Sequence, residues 1–541
     1  MHWCGLLQRT IHQKTKRLQR WGNVWEHRGN GFLMSSTVSH ALQSGKLSSA
    51  LAVGVEQPSG EDLYLGHYIN GQQVSSDSYY KVTDPANGQT VAFVADGDEQ
   101  TIGAAVQAAK SAFASWRETS PQTRAGLLRR WYDLIIEKRE ALGRVITREN
   151  GKPLSEAIGE VRYAASFVEW FASEAPRVYG DVIPATSGPR QALVVREPLG
   201  VCAAITPWNF PSAMLTRKVA PALATGNTVV ARPSELTPVS AIALAELARE
   251  AGIPAGVFNV ISGSRPSLFG EGLAQHPDVR MLSFTGSTRV GRLLMGQCAS
   301  TVKRTEMELG GLAPFIVFDD TDLDAAVAGL WAAKMRNSGQ TCVCPNRIYV
   351  QRAIYDAFAE RLAKRVSRAK VGPGVDSGVE VGPLINQAAI DKVQRHVQDA
   401  VQKGAKVLVG NRVLSELGPL FYEPTVVRDV PPDALLCREE TFGPVLPLLV
   451  FDDEEEVIRA ANATEFGLAS YVYTRDLGRA FRCAKQLESG MVGVNEGVIS
   501  NAAMPFGGVK QSGYGREGSK YGIDAYTNLK YILMGYGERS T

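Results

Sequence analysis

The stretch from Ala192 to Phe318 constrains the fold most, because apolar runs of strand length alternate in it with helical segments. These runs read GVCAAI, NTVVA, GVFNVI, VRMLSF and APFIVF. For one helix between them, the sequence predicts Thr237 as N-cap, Pro238 in the first turn and Gly252 after the last residue. Repeated β-α-β units predict an α/β fold with a doubly wound parallel sheet, which binds ligands beyond the carboxyl ends of its strands.

Length and composition narrow the class of protein. At 541 residues the chain is long enough for two or three domains. A net charge of +3, without basic runs interleaved with aromatic residues, predicts no nucleic-acid partner. The longest uncharged stretch, residues 198–216, contains Pro207 and Pro211, so we predict no membrane partner either. The seven cysteines are mostly isolated, as is typical of reduced intracellular thiols.

The first 50 residues differ from the rest of the chain. Their basic residues are opposed by a single acid, Glu26, and several serines and threonines accompany them. Leaders of this composition are similar to mitochondrial transit peptides, which predicts a location in the mitochondrial matrix. A disordered basic tail without a targeting role is the alternative. Compact structure is predicted to begin near LYLGHYINGQQV, where Gly71 supplies a turn between two strand-like runs.

The loop RNSGQTCVCPNR, residues 336–347, carries two cysteines one residue apart. A structural zinc needs four ligands, and the other cysteines and the histidines are not spaced to complete a set, so no metal is predicted. A disulfide between Cys342 and Cys344 would close a small, strained ring, which suits a redox switch better than a structural link. Two further interpretations of Cys342, a small buried hydrophobic residue and a nucleophile, stay open on this loop alone.

Three other stretches carry groups that a nucleophile of this kind requires. In TPWNFP, the amide of Asn209 can donate to an oxyanion or can simply serve a turn before proline. In SFTGSTRVG, Gly286 lets the backbone approach a ligand, and a new helix offers free N–H groups to a phosphate. In TEMELGG, Glu306 and Glu308 share one face of a predicted strand, either as a general base or as a solvated edge.

Together, ITPWNFP, SFTGSTRVG, MELGGLAPFIVFDD, GQTCVC, EETFGP and PFGGVKQSGYGREGSKYGI resemble the motifs of the NAD(P)-dependent aldehyde dehydrogenase superfamily. The resemblance runs from about residue 65 to about residue 535 and leaves the leader, residues 1–50, outside. It implies a Rossmann-type cofactor domain (residues 51–180 and 200–310) and an α/β catalytic domain (311–510). It also implies a small β oligomerisation arm with a C-terminal tail (181–199 and 511–541). Family members with such an arm form tetramers or dimers, and we predict a homotetramer.

The resemblance also implies a role for each matching residue. Cys342 would be the nucleophile, Glu308 the base that activates water, and Asn209 the oxyanion donor together with the backbone N–H of Cys342. The implied cofactor-binding residues are Trp208, Arg232, Ser234, Glu235, Gly286, Ser287 and Glu440. The implied ligands of a substrate carboxylate are Arg217, Arg336 and Ser500.

Within the superfamily, TCVC, GMVGVNEGVIS and REGSKYGIDAY resemble most the mitochondrial oxidoreductases that convert succinate semialdehyde to succinate in GABA degradation. The implied chemistry is a thiohemiacetal on Cys342, hydride loss to nicotinamide, and hydrolysis of the resulting thioester. Paired arginines suit a small-molecule aldehyde bearing a carboxylate. Glutarate semialdehyde is an alternative substrate. A cysteine hydrolase or acyltransferase without redox chemistry, and a binding protein with an inactive site, are alternative classes.

Four residues bear on the choice of cofactor and on the reactivity of Cys342. Arg232 stands where the family usually has lysine, and its wider cationic fork would tolerate the 2′-phosphate of NADP. Glu235 favours NAD, because a carboxylate accepts from ribose hydroxyls and repels phosphate. We therefore predict NAD, with NADP as the alternative. Arg336 is expected to favour the thiolate of Cys342, and Cys344 is its predicted redox partner.

Overall fold

The computed structural model describes residues 62–537. The predicted leader, residues 1–50, lies outside the described residues, as do the last four positions of the predicted tail. Over the described range, none of the helices combines the length and the apolar character that crossing a membrane requires.

The first main sheet contains four of the five predicted strand runs, GVCAAI, NTVVA, GVFNVI and VRMLSF. The grouping of the fifth run, APFIVF, with them is wrong, because this run forms a strand of the second main sheet. Its strands lie in the order Gly513–Tyr514, Arg304–Glu308, Val279–Thr285, Val201–Ile205, Thr228–Arg232, Phe258–Val260, His67–Ile69, Gln72–Val74. The central strands run parallel, and antiparallel strands flank them at both edges. The expected doubly wound α/β architecture is confirmed.

Helices cover both faces of this sheet, which explains why its strands are apolar on both sides. On the strand Val201–Ile205, Cys202 and Ala204 belong to one hydrophobic cluster, whereas Val201 and Ala203 belong to another. The helices of this half of the chain are Glu99–Trp116, Pro121–Glu137, Arg139–Asn150, Leu154–Glu174, Pro211–Ala224, Val239–Glu250, Pro266–Gln275 and Thr288–Cys298.

The predicted capping role of Thr237 is wrong. The helix Val239–Glu250 has Pro238 at its N-cap and no side-chain cap of its own. Instead, the carboxylate of Glu149 accepts hydrogen bonds from the backbone N–H groups of Val239 (2.9 Å) and Ser240 (3.1 Å). A carboxylate from a neighbouring helix thus satisfies the first-turn donors and complements the positive end of the helix.

The second main sheet has the strand order Lys406–Val409, Thr425–Arg428, Val445–Phe451, Pro345–Gln351, Ala313–Val317, Ala469–Tyr473, Met491–Val494. All its described pairings are parallel except the one between the first two strands. The helices that pack with it are Leu323–Lys334, Tyr355–Val366, Gln387–Gln402, Leu435–Arg438, Glu454–Asn462 and Leu477–Gln486.

Small sheets complete the described fold. Thr527–Gly535, Arg190–Pro198 and Asp181–Ile183 form an antiparallel sheet, which we call the arm. The others contain Tyr64–Leu65, Thr90–Ala95 and Tyr79–Thr83, and Phe466–Gly467 with Val509–Lys510. Short 3-10 turns lie at Ala175–Arg177, Ala299–Thr301, Arg336–Gly339, Arg352–Ile354 and Lys520–Tyr526.

Candidate active site

The loop that carries Cys342 follows the helix Leu323–Lys334 and is held in an unusual backbone conformation. Asn337 and Ser338 have φ angles of 50° and 57°, in the left-handed region that residues other than glycine avoid. The backbone N–H of Asn337 donates to Glu156 Oε2 at 2.7 Å. A hydrogen bond between distant parts of the chain therefore fixes the backbone that leads to Cys342.

Asn209 lies just beyond the strand Val201–Ile205 and is fixed at both its backbone and its side chain. Its carbonyl oxygen accepts from Lys152 Nζ (2.7 Å) and Asn337 Nδ2 (2.9 Å). Its own Nδ2 donates to the carbonyl of Gln340 at 3.1 Å. Because an amide nitrogen carries two N–H groups, one is left to donate to an oxygen bound near Cys342.

Glu308 ends the strand Arg304–Glu308 and is only 3% exposed. Within the described chain, neither of its carboxylate oxygens has a hydrogen-bond partner. Burial, followed by the charge of Glu517, raises the pKa of Glu308 well above its ordinary value, while Arg217 and Lys218 oppose the rise. The neutral form of this carboxyl group is therefore favoured relative to that of an exposed glutamate, and its ionised fraction increases as pH rises.

Sequence reasoning missed the charged cluster that surrounds Glu308. Glu517 lies 2.7 Å from Arg217 Nε and 2.6 Å from Lys218 Nζ, and all three side chains are buried. Lys218 Nζ also donates to the hydroxyl of Ser283 at 3.0 Å. One signal was present in the sequence: two adjacent cations within an otherwise apolar helix require a buried carboxylate partner.

The thiol of Cys342 is held as a neutral group. Burial raises the pKa of Cys342 to about 12, the nearby carboxylate of Glu440 adds to the rise, and Arg217 opposes it. The cation that acts most on this thiol is therefore Arg217, and the expectation that Arg336 would do so is corrected. Arg336 points its guanidinium to the ring of Phe210, 5.7 Å away, instead.

This environment predicts how the thiol responds to pH. In the cofactor-free protein, alkylation of Cys342 by iodoacetamide should accelerate about tenfold per pH unit from about pH 7 to about pH 10, because the thiolate fraction rises with pH below a pKa near 12. Peptide mass spectrometry after timed labelling measures the rate, with Cys342→Ala as the blank. If the alkylation rate instead levels off near pH 9, the pKa of Cys342 is that of an ordinary exposed thiol.

Cys344 lies deep in the same loop. Its side chain is buried. Its thiol donates to the carbonyl of Gly339 (3.3 Å), and its sulfur accepts from Lys334 Nζ (3.6 Å). The cysteines that the structure describes are all free thiols, and Cys344 as redox partner of Cys342 stays a prediction. Among residues 62–537, no group of three or more His, Cys, Asp or Glu side chains is arranged to hold a metal.

The predicted cofactor residues on the first sheet include a charged pair at the end of the strand Thr228–Arg232. The guanidinium of Arg232 contacts the carboxylate of Glu235 at 2.8 Å and the carbonyl of Gly263 at 3.2 Å. The hydroxyl of Ser234 lies 3.5 Å from the same carboxylate. The Glu235 carboxylate can therefore still accept hydrogen bonds from a ligand. It already neutralises part of the charge of Arg232.

The remaining cofactor positions lie at a helix N-terminus and beside the cysteine. Ser287 caps the helix Thr288–Cys298, directly after Gly286. Glu440 accepts from the backbone N–H of Gly311 at 3.2 Å, and burial raises the pKa of Glu440 to about 7. Trp208 meets the ring of Phe442 edge-on, with centroids 5.7 Å apart.

These features fit a dinucleotide. A helix N-terminus offers N–H groups to phosphate, and Glu235 offers a carboxylate to ribose hydroxyls. In the described part of the chain, Arg232 Nε and Thr206 Oγ1 are also buried without a partner, as expected of groups that a ligand satisfies.

The predicted carboxylate-binding residues present buried donors. Arg217 Nη2 and Arg336 Nε have no acceptor among residues 62–537. Arg217 is 1% exposed and lies over the ring of Phe506 at 4.2 Å. Ser500 follows the strand Met491–Val494 and is half-buried. Buried cationic N–H groups without acceptors are typical of sites that bind an anion.

A thiol, a fixed amide and a buried carboxyl, together with groups that fit a dinucleotide, are typical of aldehyde-oxidising cysteine enzymes. Residues 72–532 match the Aldehyde dehydrogenase family, and the chain belongs to this family. It is therefore an NAD(P)-dependent aldehyde dehydrogenase.

Several similar proteins, and one similar crystal structure, are semialdehyde dehydrogenases. The chain is 54% identical over 470 residues to a glutarate-semialdehyde dehydrogenase of Pseudomonas aeruginosa, covering 86% of the chain and 97% of the relative. It is 55% identical over 463 residues to a mitochondrial succinate-semialdehyde dehydrogenase of Arabidopsis thaliana, covering 85% and 87%. A crystal structure of succinate-semialdehyde dehydrogenase from Burkholderia pseudomallei matches with a TM-score of 0.87 at 53% identity, covering 89% and 100%.

Proposed function

We propose that the protein oxidises succinate semialdehyde to succinate, with NAD as cofactor. The observation that carries this proposal is that the guanidinium groups of Arg217 and Arg336 each have a buried N–H that lacks an acceptor in the described chain. A substrate carboxylate would accept from both. The names of the Arabidopsis and Burkholderia proteins support this substrate. Glutarate semialdehyde is the second candidate, supported by the name of the Pseudomonas relative.

The proposed reaction begins at Cys342. The thiol first loses its proton to water, the resulting thiolate attacks the aldehyde carbon, and the carbonyl oxygen becomes an oxyanion. The free N–H of the Asn209 amide and the backbone N–H of Cys342 donate to that oxygen, an arrangement that contributes on the order of 3 kcal/mol per donor in known enzymes. Because Lys152 and Asn337 hold the Asn209 carbonyl, the amide is oriented before the substrate arrives.

A nicotinamide dinucleotide, when bound, supplies the hydride acceptor of the reaction. The residues proposed to hold it are Trp208, Arg232, Ser234, Glu235, Gly286, Ser287 and Glu440. After oxidation the acyl group remains on the Cys342 sulfur as a thioester. In its ionised form, Glu308 then takes a proton from water, which hydrolyses the thioester to the acid and releases the Cys342 sulfur.

Substrate competition tests the proposal. We expect kcat/KM for succinate semialdehyde to exceed that for butanal by about 100-fold or more, since only the acid aldehyde satisfies both arginines. NADH formation with each aldehyde alone, and with succinate and glutarate semialdehydes mixed, measures the preference. Equal efficiency with butanal would refute the acid-aldehyde proposal, and a preference for the longer acid would favour glutarate semialdehyde.

Arg336→Gln isolates the role of one guanidinium. We expect KM for succinate semialdehyde to rise about 30-fold, because one charge-assisted hydrogen bond is lost, and KM for butanal to change little. Steady-state kinetics with both aldehydes measures this. Arg361→Gln, which removes an exposed guanidinium paired with Asp324, serves as the matched control. Equal increases in KM for both aldehydes would show a general disturbance of the site.

Glu235→Ser tests the preference for NAD. Removing the carboxylate abolishes repulsion of a 2′-phosphate and frees Arg232, 2.8 Å away, to pair with it. We expect the ratio of kcat/KM for NADP to that for NAD to rise by about 100-fold. Kinetics with both cofactors gives the ratio. If the parent already prefers NADP, the assignment of NAD is wrong.

Assembly and location complete the proposal. The arm exposes large apolar side chains, among them Val182 (67% exposed), Leu529 (66%) and Tyr531 (62%), and the edge of Asp181–Ile183. Such a surface favours association with further copies of the chain, and we propose a homotetramer. The acid-poor composition of residues 1–50 and the mitochondrial Arabidopsis relative support import into the mitochondrial matrix, as part of GABA degradation.

A further inference from the structure

Tyr163 lies among the residues proposed to bind the substrate carboxylate, although no motif in the sequence singled it out. It belongs to the helix Leu154–Glu174. Its hydroxyl oxygen is buried and makes no hydrogen bond of normal geometry within residues 62–537. The charges of Arg217 and Arg336 act on this hydroxyl, and the Ser500 side chain lies beside it.

The ring of Tyr163 is held so that its hydroxyl stays in place. It meets the ring of Phe167, one helical turn away, at 5.0 Å in an edge-on arrangement. Phe167 in turn lies 5.0 Å below the guanidinium of Arg217. Tyr163 also packs on the small cluster formed by Ala164, Ala213 and Met214. The tyrosine and the arginine thus share one aromatic support.

We propose that the Tyr163 hydroxyl donates a hydrogen bond to the carboxylate of the acid aldehyde and helps the enzyme to distinguish it from uncharged aldehydes. This inference rests on the proposed function. A buried donor without an acceptor is unfavourable in the free protein, and a ligand that accepts from it removes that penalty. Tyr163 therefore joins Arg217 Nη2 and Arg336 Nε as a third group that lacks an acceptor.

The protonation state of Tyr163 suits this role. Burial raises the pKa of the phenol above its ordinary value, and the two arginines oppose the rise only in part. The hydroxyl consequently remains protonated at neutral pH and can donate to an anion. A neutral aldehyde places a methyl group at the same position and leaves the donor unsatisfied.

Tyr163→Phe tests the inference, because it removes only the hydroxyl and keeps the ring that packs on Phe167. We expect KM for succinate semialdehyde to rise about tenfold, with kcat and KM for butanal changed less than about twofold. Binding of succinate, the product, should weaken by the same factor in isothermal titration. Tyr355→Phe is the matched control: it removes a hydroxyl that donates to the Leu448 carbonyl at 3.3 Å in the second sheet.

The outcomes separate this inference from the proposed function. If the parent enzyme shows no preference for acid aldehydes, the proposed function fails and the inference fails with it. The parent enzyme could prefer acid aldehydes while Tyr163→Phe keeps the parent's ratio of KM for butanal to KM for succinate semialdehyde and the parent's affinity for succinate. In that case the inference alone is overturned. A selective loss of acid-aldehyde affinity, with unchanged thermal unfolding and an unaffected Tyr355→Phe, supports it.

Discussion

Replacing Cys342 by alanine should lower kcat/KM for succinate semialdehyde by about 10⁵-fold, the largest effect that we expect from a single substitution. The reason is that attack, oxidation and hydrolysis all take place on one sulfur atom in the proposed reaction. The side chain is small and half-buried, so its truncation leaves little space unfilled. NADH formation measures the loss, and mass spectrometry of protein quenched during turnover locates the acyl group.

Cys344→Ala is the matched control for this substitution. It removes a fully buried thiol two residues along the same loop and so disturbs packing at least as much. We expect it to retain activity within about tenfold of the parent, because its sulfur contacts Gly339 and Lys334 and does not attack the substrate. Activity retained by Cys342→Ala, or an acyl group found on another side chain, would refute the assignment of the nucleophile.

The strands of the first sheet could be predicted because the information that specifies them is local. Val201–Ile205 and Thr228–Arg232 are short apolar runs buried on both faces, and such runs in alternation with helices leave few architectures open. The candidate nucleophile, base and oxyanion donor were identified from motif resemblance, which fixes residue identity and leaves the surroundings of each residue undetermined.

Those surroundings depend on contacts between residues distant in sequence. Lys218 and Glu517 are 299 positions apart, yet they form one buried ion pair beside the proposed base. The left-handed Asn337 is held by Glu156, 181 positions earlier, and asparagine does not itself require that conformation. Neither local pattern nor composition encodes such pairings. The sequence likewise predicts that a nearby arginine favours the thiolate of Cys342, whereas burial in the fold outweighs the positive charge and raises the pKa of Cys342.

Glu308→Gln is expected to separate formation of the thioester from its hydrolysis. Glutamine keeps the size of the side chain and cannot take a proton from water, so the acyl enzyme should accumulate. We expect a burst of about one NADH per subunit, followed by steady turnover about 10³-fold slower than that of the parent. Rapid-mixing measurements of NADH formation give both phases, and mass spectrometry should find the acyl group on Cys342.

The charges around Glu308 determine how this result depends on pH. Because burial and Glu517 raise the pKa of Glu308, its ionised fraction grows as pH rises, and steady turnover of the parent should increase with it. The slow turnover of Glu308→Gln should lack that dependence. Glu306→Gln is the matched control, since Glu306 is buried on the same strand with its pKa raised to about 8. A burst in Glu306→Gln, or undiminished steady turnover in Glu308→Gln, would assign the base to another residue.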